Sequence, residues 1–383
     1  MKVAVVHDVF IGTGGAERVA LAIAKALRAD IYTAEVDYAR TYPELKRFRV
    51  HSAPKQLSKV KPPVLRRMLS SLWFASLDLE DYDVIWASGM WAHFVAFHNT
   101  AVAWYCHSPN RALYDLRERV WKRLNVFGKT EFLLWSSIWR LLDKKVARNT
   151  AMIVVNSLNT GRRVVSAYNR IPVVVYPPVD VSKFRPAKSP EEDYFLSVQR
   201  INPEKRLEIQ IEAFRRVPEE RLIIVGRPEN EKYWARIKPL IDKTKNVEYL
   251  GPVDDKTLAE LYANAKAVIQ TAVDEDFGLV PVEAMASGTP VIAVGEGGFL
   301  ESVLPSTGRL IWPPYVEALA KAVRSFDRSA YDPKLLREYA VRRFGPDRFL
   351  VAIKGITRAI EEVVSDDYRA WVRRAWASVS GGV

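Results

Sequence analysis

The sequence predicts an α/β protein built from two doubly wound parallel-sheet domains facing a cleft, and three observations carry that prediction. At 383 residues the chain outgrows a single hydrophobic core, which stops growing near about 250–300 residues. Short β-rich apolar runs alternate with helical patterns along its length, the signature of βαβ units. An aperiodic segment bearing Pro177, Pro178, Pro186 and Pro190 (176–193) splits the alternation into two series.

In the first series VAVVH (3–7) precedes a helix from about Ala16 to Leu27, and the strands DVIWAS (83–88), AVAWYC (101–106), MIVVNS (152–157) and PVVVYPP (172–178) follow. The second runs through YFLSVQ (194–199), RLIIVG (221–226), VEYLG (247–251), AVIQTA (267–272), PVIAV (290–294) and GRLIW (308–312). Nearly continuous apolar runs of this kind suit strands covered on both faces. The boundary falls near residue 185, giving domains 1–185 and 186–359. Helical patterns from about Asp347 to Ala377 close the chain, and a Trp- and Arg-rich helix at about 360–383 is expected to pack back on the first domain.

Composition narrows the function classes. With 49% hydrophobic and 27% charged residues the chain is a folded one. No apolar stretch approaches the roughly 18 residues of a membrane span, so a cytoplasmic location is expected, and a single cysteine, Cys106, agrees with a reducing compartment. Residues 1–190 hold 29 Lys+Arg against 15 Asp+Glu, while the remainder holds 28 against 30. The basic excess of the first half points to an anionic partner there. In LSKVKPPVLRRMLSSLWFA (57–75) and in residues 111–148, with ten Lys+Arg beside Trp121, Trp135 and Trp139, basic residues mix with large apolar ones, as in helices that rest in an anionic headgroup layer. A solvated basic face over a core stripe has the same pattern. No nucleic-acid motif is present, and no nucleic-acid partner is expected.

Ligands of open parallel sheets bind beyond the carboxyl ends of strands, and two segments there carry chemistry. After AVIQTA comes DEDFGLVPVEAMASG (274–288), with a short helix expected from about Val280 to Ser287, Pro281 in its first turn and Gly288 just past its end. Such a helix start, opened by Gly278, is an anion site. After YFLSVQ comes QRINPEKR (199–206); Arg200 and Lys205 stand at a loop and a helix start, where cations gain nothing from the dipole and a phosphate partner accounts for them.

Together with HD and GTGGAER (7–18), YCHSPNR (105–111), YPPVDVSKF (176–184), SVQRINPEKRLEIQIEAF (197–214), YLGPV (249–253) and EDFGLVPVEAMASGTPVIA (275–293), these segments resemble the family 4 retaining glycosyltransferases of GT-B fold, in particular the bacterial and archaeal O-antigen-type mannosyltransferases. The resemblance covers nearly the whole chain. It implies that Arg200 and Lys205 hold the donor diphosphate, that Glu275 meets the donor sugar hydroxyls and Glu283 the ribose, and that Phe277, Gly278 and Leu279 offer backbone N–H groups. It implies further that the base is met at Val253, that Gly14 and Gly15 close over the phosphate, and that His107 lies near the sugar; Gly226, ending RLIIVG, joins the donor-binding set. Arg200, Lys205, Glu275 and His107 are then the catalytic group. Asn202-Pro203-Glu204 departs from the glycine-containing stretch of many relatives.

The implied reaction is hexosyl transfer, mannose from GDP-mannose, to a glycan or polyprenyl-linked acceptor, at the cytoplasmic face of an anionic membrane. Retention without an enzyme nucleophile requires stabilisation of charge growing on the leaving diphosphate. Cations in that role make a metal redundant, so no cofactor is expected. Alternatives are a UDP-sugar donor, a nucleotide-sugar 2-epimerase and a non-catalytic nucleotide-sugar-binding protein. The dinucleotide fingerprint at Gly12-Thr-Gly14-Gly15 fails because Glu17 holds its third glycine position, and Gly128-Lys129-Thr130 fails as a P-loop because Arg123 holds its first. The five histidines show no zinc spacing.

Overall fold

The computed structural model describes residues 1–61, 63–188 and 193–365. The chain divides into two compact units, Met1–Tyr176 with residues 349–365, and Pro177–Arg348.

The sheet of the first unit comprises β1 (Val3–Phe10), β2 (Asp30–Val36), β3 (Val50–Ser52), β4 (Val84–Ser88), β5 (Val102–Cys106), β6 (Met152–Val155) and β7 (Val173–Val174), in the order β3-β2-β1-β4-β5-β6-β7. Every pairing is parallel. Strands β4 and β5 are buried throughout, as their apolar runs require. The Gly15–Leu27 helix lays Val19, Ala20, Ile23 and Ala24 on the sheet and ends at Arg28 in the left-handed conformation (φ 52°).

The second unit holds β8 (Tyr194–Val198), β9 (Arg221–Val225), β10 (Val247–Gly251), β11 (Ala267–Gln270), β12 (Val291–Val294) and β13 (Gly308–Ile311), in the order β10-β9-β8-β11-β12-β13, again all parallel.

Three expectations need correction. Strands β2 and β3 join the expected ones, hidden in the sequence because DIYTAEV breaks its apolar run with Asp30 and Glu35 and VHS is three residues long. The first unit ends at Tyr176 instead of 185, because residues 179–184 are tied to the second unit. Val179 donates its N–H to Phe344 O (3.1 Å), and the Arg337 guanidinium donates to the carbonyls of Val181, Phe184 and Ala286. The return to the first unit begins at Phe349 instead of about 360. In the Pro346–Ser365 helix, Phe349, Ile353, Ile360 and Val364 enter the first unit's core, and Trp86 donates its indole N–H to Thr357 Oγ1 (3.0 Å). The rest of the Trp- and Arg-rich segment, residues 366–383, lies outside the described residues.

Candidate active site

In the second sheet the strand order reverses between β8 and β11, and at such a switch point the loops part to leave a ligand crevice. Both candidate segments leave from it. Lys205 ends the Pro203–Lys205 turn, whose first N–H groups are capped by the Asn202 side chain, which accepts from Glu204 N (3.2 Å). The Lys205 ammonium stands 2.5 Å from Glu275 Oε2, both side chains mostly buried. Arg200 is held apart from that pair, exposed, its Nη1 3.1 Å from Glu229 Oε1. The two cations expected to share the diphosphate are thus each on a different carboxylate.

Four residues missed in the sequence hold this arrangement. Arg206, left-handed at φ 50°, donates to Thr271 O (2.6 Å) and Ala272 O (3.1 Å) and pairs with Glu296 (2.7 Å), so one guanidinium joins the loops after β8, β11 and β12. Gly297 (φ 59°) and Gly298 let the loop after β12 run against the 274–277 backbone. A Cβ on Gly297 would lie 2.5 Å from Glu275 N and one on Gly298 2.4 Å from Phe277 Cα, and Gly298 N–H donates to Glu275 O (2.8 Å). The signal available was GEGG (295–298), a glycine pair just after the PVIAV strand.

The expected helix runs Leu279–Ala286, opened by Gly278 at φ 85° with no side-chain cap and no acidic residue in its first turn, and stopped by Gly288 at φ 75°. Its start is an electropositive backbone edge. Phe277 is buried against Phe344 (centroids 5.4 Å), leaving its backbone as the part that can serve a ligand. Glu283 sits inside, 7% exposed, one carboxylate oxygen accepting from the Tyr262 hydroxyl (3.0 Å). Gly226 (φ 148°) is a backbone crossing: a Cβ there would fall 1.8 Å from Gln199 O. Val253 follows β10, half-buried, two residues past Gly251 at φ 78°.

The first unit carries the other candidates. His107, just past β5 and half-buried, has Nε2 3.0 Å from Ser88 Oγ, and His7 Nδ1 lies 2.7 Å from Ser88 O. Burial, and after it the neighbouring His7, push the His107 imidazole down to about 3, so it stands neutral at pH 7. Asp8 is committed to structure: its two oxygens accept from the N–H groups of Met90, Trp91 and Ala92 (2.7–2.9 Å). Gly89, at φ 136°, admits it, since a Cβ there would strike the Asp8 carboxylate at 2.4 Å. Gly14 and Gly15 open the first helix as its N-cap and first residue, with Glu17 folded back so that a Gly14 Cβ would meet its carboxylate at 2.4 Å. The helix thus meets its own dipole with its own acid.

Among the described residues no cluster of three or more His, Cys, Asp or Glu side chains could hold a metal ion, and no helix is long and apolar enough to cross a membrane.

Residues 13–183 match the model for Glycosyltransferase Family 4, and residues 179–343 that for Glycosyl transferases group 1. The chain is 25% identical to the α-1,3/1,6-mannosyltransferase ALG2 of Dictyostelium discoideum over 87% of its length and 90% of the relative's. To ALG2 of Homo sapiens it is 26% identical, over 88% and 91%. Among solved structures, Anabaena HepE in complex with UDP and glucose superimposes with a TM-score of 0.69 at 21% identity, covering 96% of this chain and 100% of that one, a likeness of fold. With the two family models running together from residue 13 to 343, the chain belongs to the family 4 glycosyltransferases and is a hexosyltransferase of GT-B fold.

Proposed function

We propose that the enzyme transfers mannose from GDP-mannose, with retention and without a metal, onto a lipid-linked glycan at the cytoplasmic face of an anionic membrane. The observation that carries the donor half is Lys205 held 2.5 Å from Glu275 beside the uncapped start of the Leu279–Ala286 helix. When a nucleotide diphosphate enters, the ammonium passes from Glu275 to phosphate, and the released carboxylate accepts from sugar hydroxyls. Arg200 makes the same exchange from Glu229. As the glycosidic bond breaks, charge grows on the leaving phosphate against these two cations and the helix N–H groups, so stabilisation increases toward the transition state. The acceptor proton goes to a leaving phosphate oxygen, while His107, neutral, orients a hydroxyl. Mannose is supported by the ALG2 relatives, which are named as mannosyltransferases.

The membrane half rests on the Val126–Asn149 helix. Phe127, Leu134, Ile138 and Leu141 are 60–87% exposed, and their spacing of seven, four and three residues puts them on one face. That face continues into Lys145 and Arg148, both exposed, and carries one acid, Glu131. An apolar stripe running into cations matches an acyl layer under anionic headgroups.

Thermal stabilisation by a panel of nucleotide sugars tests the donor. GDP-mannose is expected to stabilise the wild type equally with and without EDTA, and Arg200→Ala to lose the effect. Stabilisation by UDP-glucose in its place would overturn the donor assignment, and dependence on a divalent cation would overturn the metal-free mechanism.

A further inference from the structure

We propose that Asp143 is a positioning residue for the transfer reaction, holding the segment 107–116, which carries His107, through the hydroxyl of Tyr114; this rests on the transferase reading, in which His107 orients a hydroxyl. Asp143 lies on the inner face of the Val126–Asn149 helix, 1% exposed. Burying a carboxylate is costly unless hydrogen bonds replace its water, and here three do. Oδ1 accepts from His93 Nε2 (2.9 Å), and Oδ2 from the hydroxyls of Tyr114 (2.6 Å) and Tyr168 (2.9 Å). Burial, and after it the Asp143 charge, raise both phenols well above their usual range, so both stay protonated as donors.

Four elements meet on that carboxylate: the Ala92–Phe97 turn through His93, the segment after β5 through Tyr114, the helix itself, and the Leu158–Tyr168 helix through Tyr168. The His93 ring stacks on Trp104 of β5 (4.0 Å), so the anchor is set against the strand that leads into His107. The segment is tied at both ends. At its start His107 O accepts from Asn156 Nδ2 (2.9 Å) and Thr160 Oγ1 (3.3 Å). At its far end Tyr114 has its hydroxyl on Asp143 and its ring under the Arg140 guanidinium, 5.5 Å away. Apolar packing alone sets the rotation of the Val126–Asn149 helix weakly, because large apolar groups stand on both sides, Phe132, Trp139 and Val146 inside, Phe127, Leu134 and Ile138 outside. A buried carboxylate with directional partners fixes that rotation, and through Tyr114 the same carboxylate fixes the chain that follows His107.

The two phenols make the test, since each gives one hydrogen bond to the same oxygen and only Tyr114 belongs to the segment. In NMR of the full chain with isotope-labelled histidine, the ring signals of His107 are assigned by their loss in His107→Asn. They are expected to shift in Tyr114→Phe and to stay in place in Tyr168→Phe, while those of His93 move in both. The rate of GDP release from GDP-mannose should fall at least about tenfold in Tyr114→Phe alone, since misplacing a reacting geometry by about 1 Å costs up to about a hundredfold. A His107 signal unmoved in Tyr114→Phe, or moved equally by Tyr168→Phe, would overturn the proposal. Equal losses of rate and of Tm in the two variants would make Asp143 a structural residue only. A His107 shift confined to Tyr114→Phe, in a protein that GDP-mannose does not stabilise, would keep the anchor and remove the donor reading.

Discussion

The two units repeat one architecture and spend their switch points differently. After β8 and β11 the second unit places cations on carboxylates, Lys205 on Glu275 and Arg200 on Glu229, which a diphosphate replaces in the proposed reaction. At the end of β1 and β5 in the first unit Asp8 is bound by three backbone N–H groups and the neutral His107 stands against Ser88. The comparison teaches that a parallel sheet supplies only the position of a site. What it binds is set by whether its charges are held by exchangeable side chains or by backbone.

Glycine replacement gives the largest expected contrast. Gly226→Ala pushes a Cβ to 1.8 Å from Gln199 O at a φ of 148°. The loop carrying Arg200 must move, and a loss of about 3 kcal/mol or more in stability is expected, seen as a lower Tm and an absent GDP-mannose response. Gly12→Ala, in the first unit's glycine loop, meets nothing within 4 Å and should stay within about 0.5 kcal/mol. Equal effects at the two positions would erase the difference in loop constraint.

Next is the exchangeable charge itself. Lys205→Ala is expected to lower kcat by about 10²–10³, roughly 2.7–4 kcal/mol by analogy with a lost oxyanion donor, while Tm changes little. Arg206→Ala should do the reverse: it removes the guanidinium joining three loops, and Tm should fall before kinetics can be assigned. A kcat loss in Lys205→Ala matched by an equal loss of Tm would make Lys205 a structural residue.

Most of the framework was legible because buried parallel strands announce themselves as apolar runs, and the Leu279–Ala286 helix because Gly278 and Gly288 mark its two ends. What escaped was long-range. Nothing local in Arg206 distinguishes it from Lys205, yet one bridges loops 65 to 90 residues away and the other waits on Glu275. Residues 179–184 read as linker because prolines break periodicity, and Arg337 and Phe344, more than 150 residues on, reassign them to the second unit. The exposed stripe of Val126–Asn149 was visible only as composition, since sequence does not say which face of a helix the core takes.

That stripe gives a smaller effect, confined to the first unit. Burying a large apolar side chain fully yields about 1.5–3 kcal/mol, so Phe127→Ser with Leu134→Ser and Leu141→Ser should weaken sedimentation with phosphatidylglycerol vesicles at least about tenfold. Soluble GDP-mannose binding should be untouched. Undiminished vesicle binding, or a wild-type dimer in solution that the triple variant dissolves, would give the face to another partner.

The smallest effect distinguishes a positioning histidine from a base. The His107 imidazole lies near 3 in the folded protein, below the roughly 6.5 of an exposed histidine, so the unfolded chain takes up a proton that the folded state refuses. The stability this group contributes is present above pH about 6.5 and is lost as pH falls toward 3. The Tm difference between wild type and His107→Asn should therefore shrink or invert as pH is lowered from about 7 to 5, while the rate of transfer near neutrality shows no limb that belongs to this residue. A general base would do the opposite: an ascending limb between pH about 6 and 7, present in the wild type and absent in the variant, would mean that His107 titrates in the reaction. The contrast between Asp8 and His107, held by backbone or neutral, and the charged pairs of the second unit would then fail at this residue.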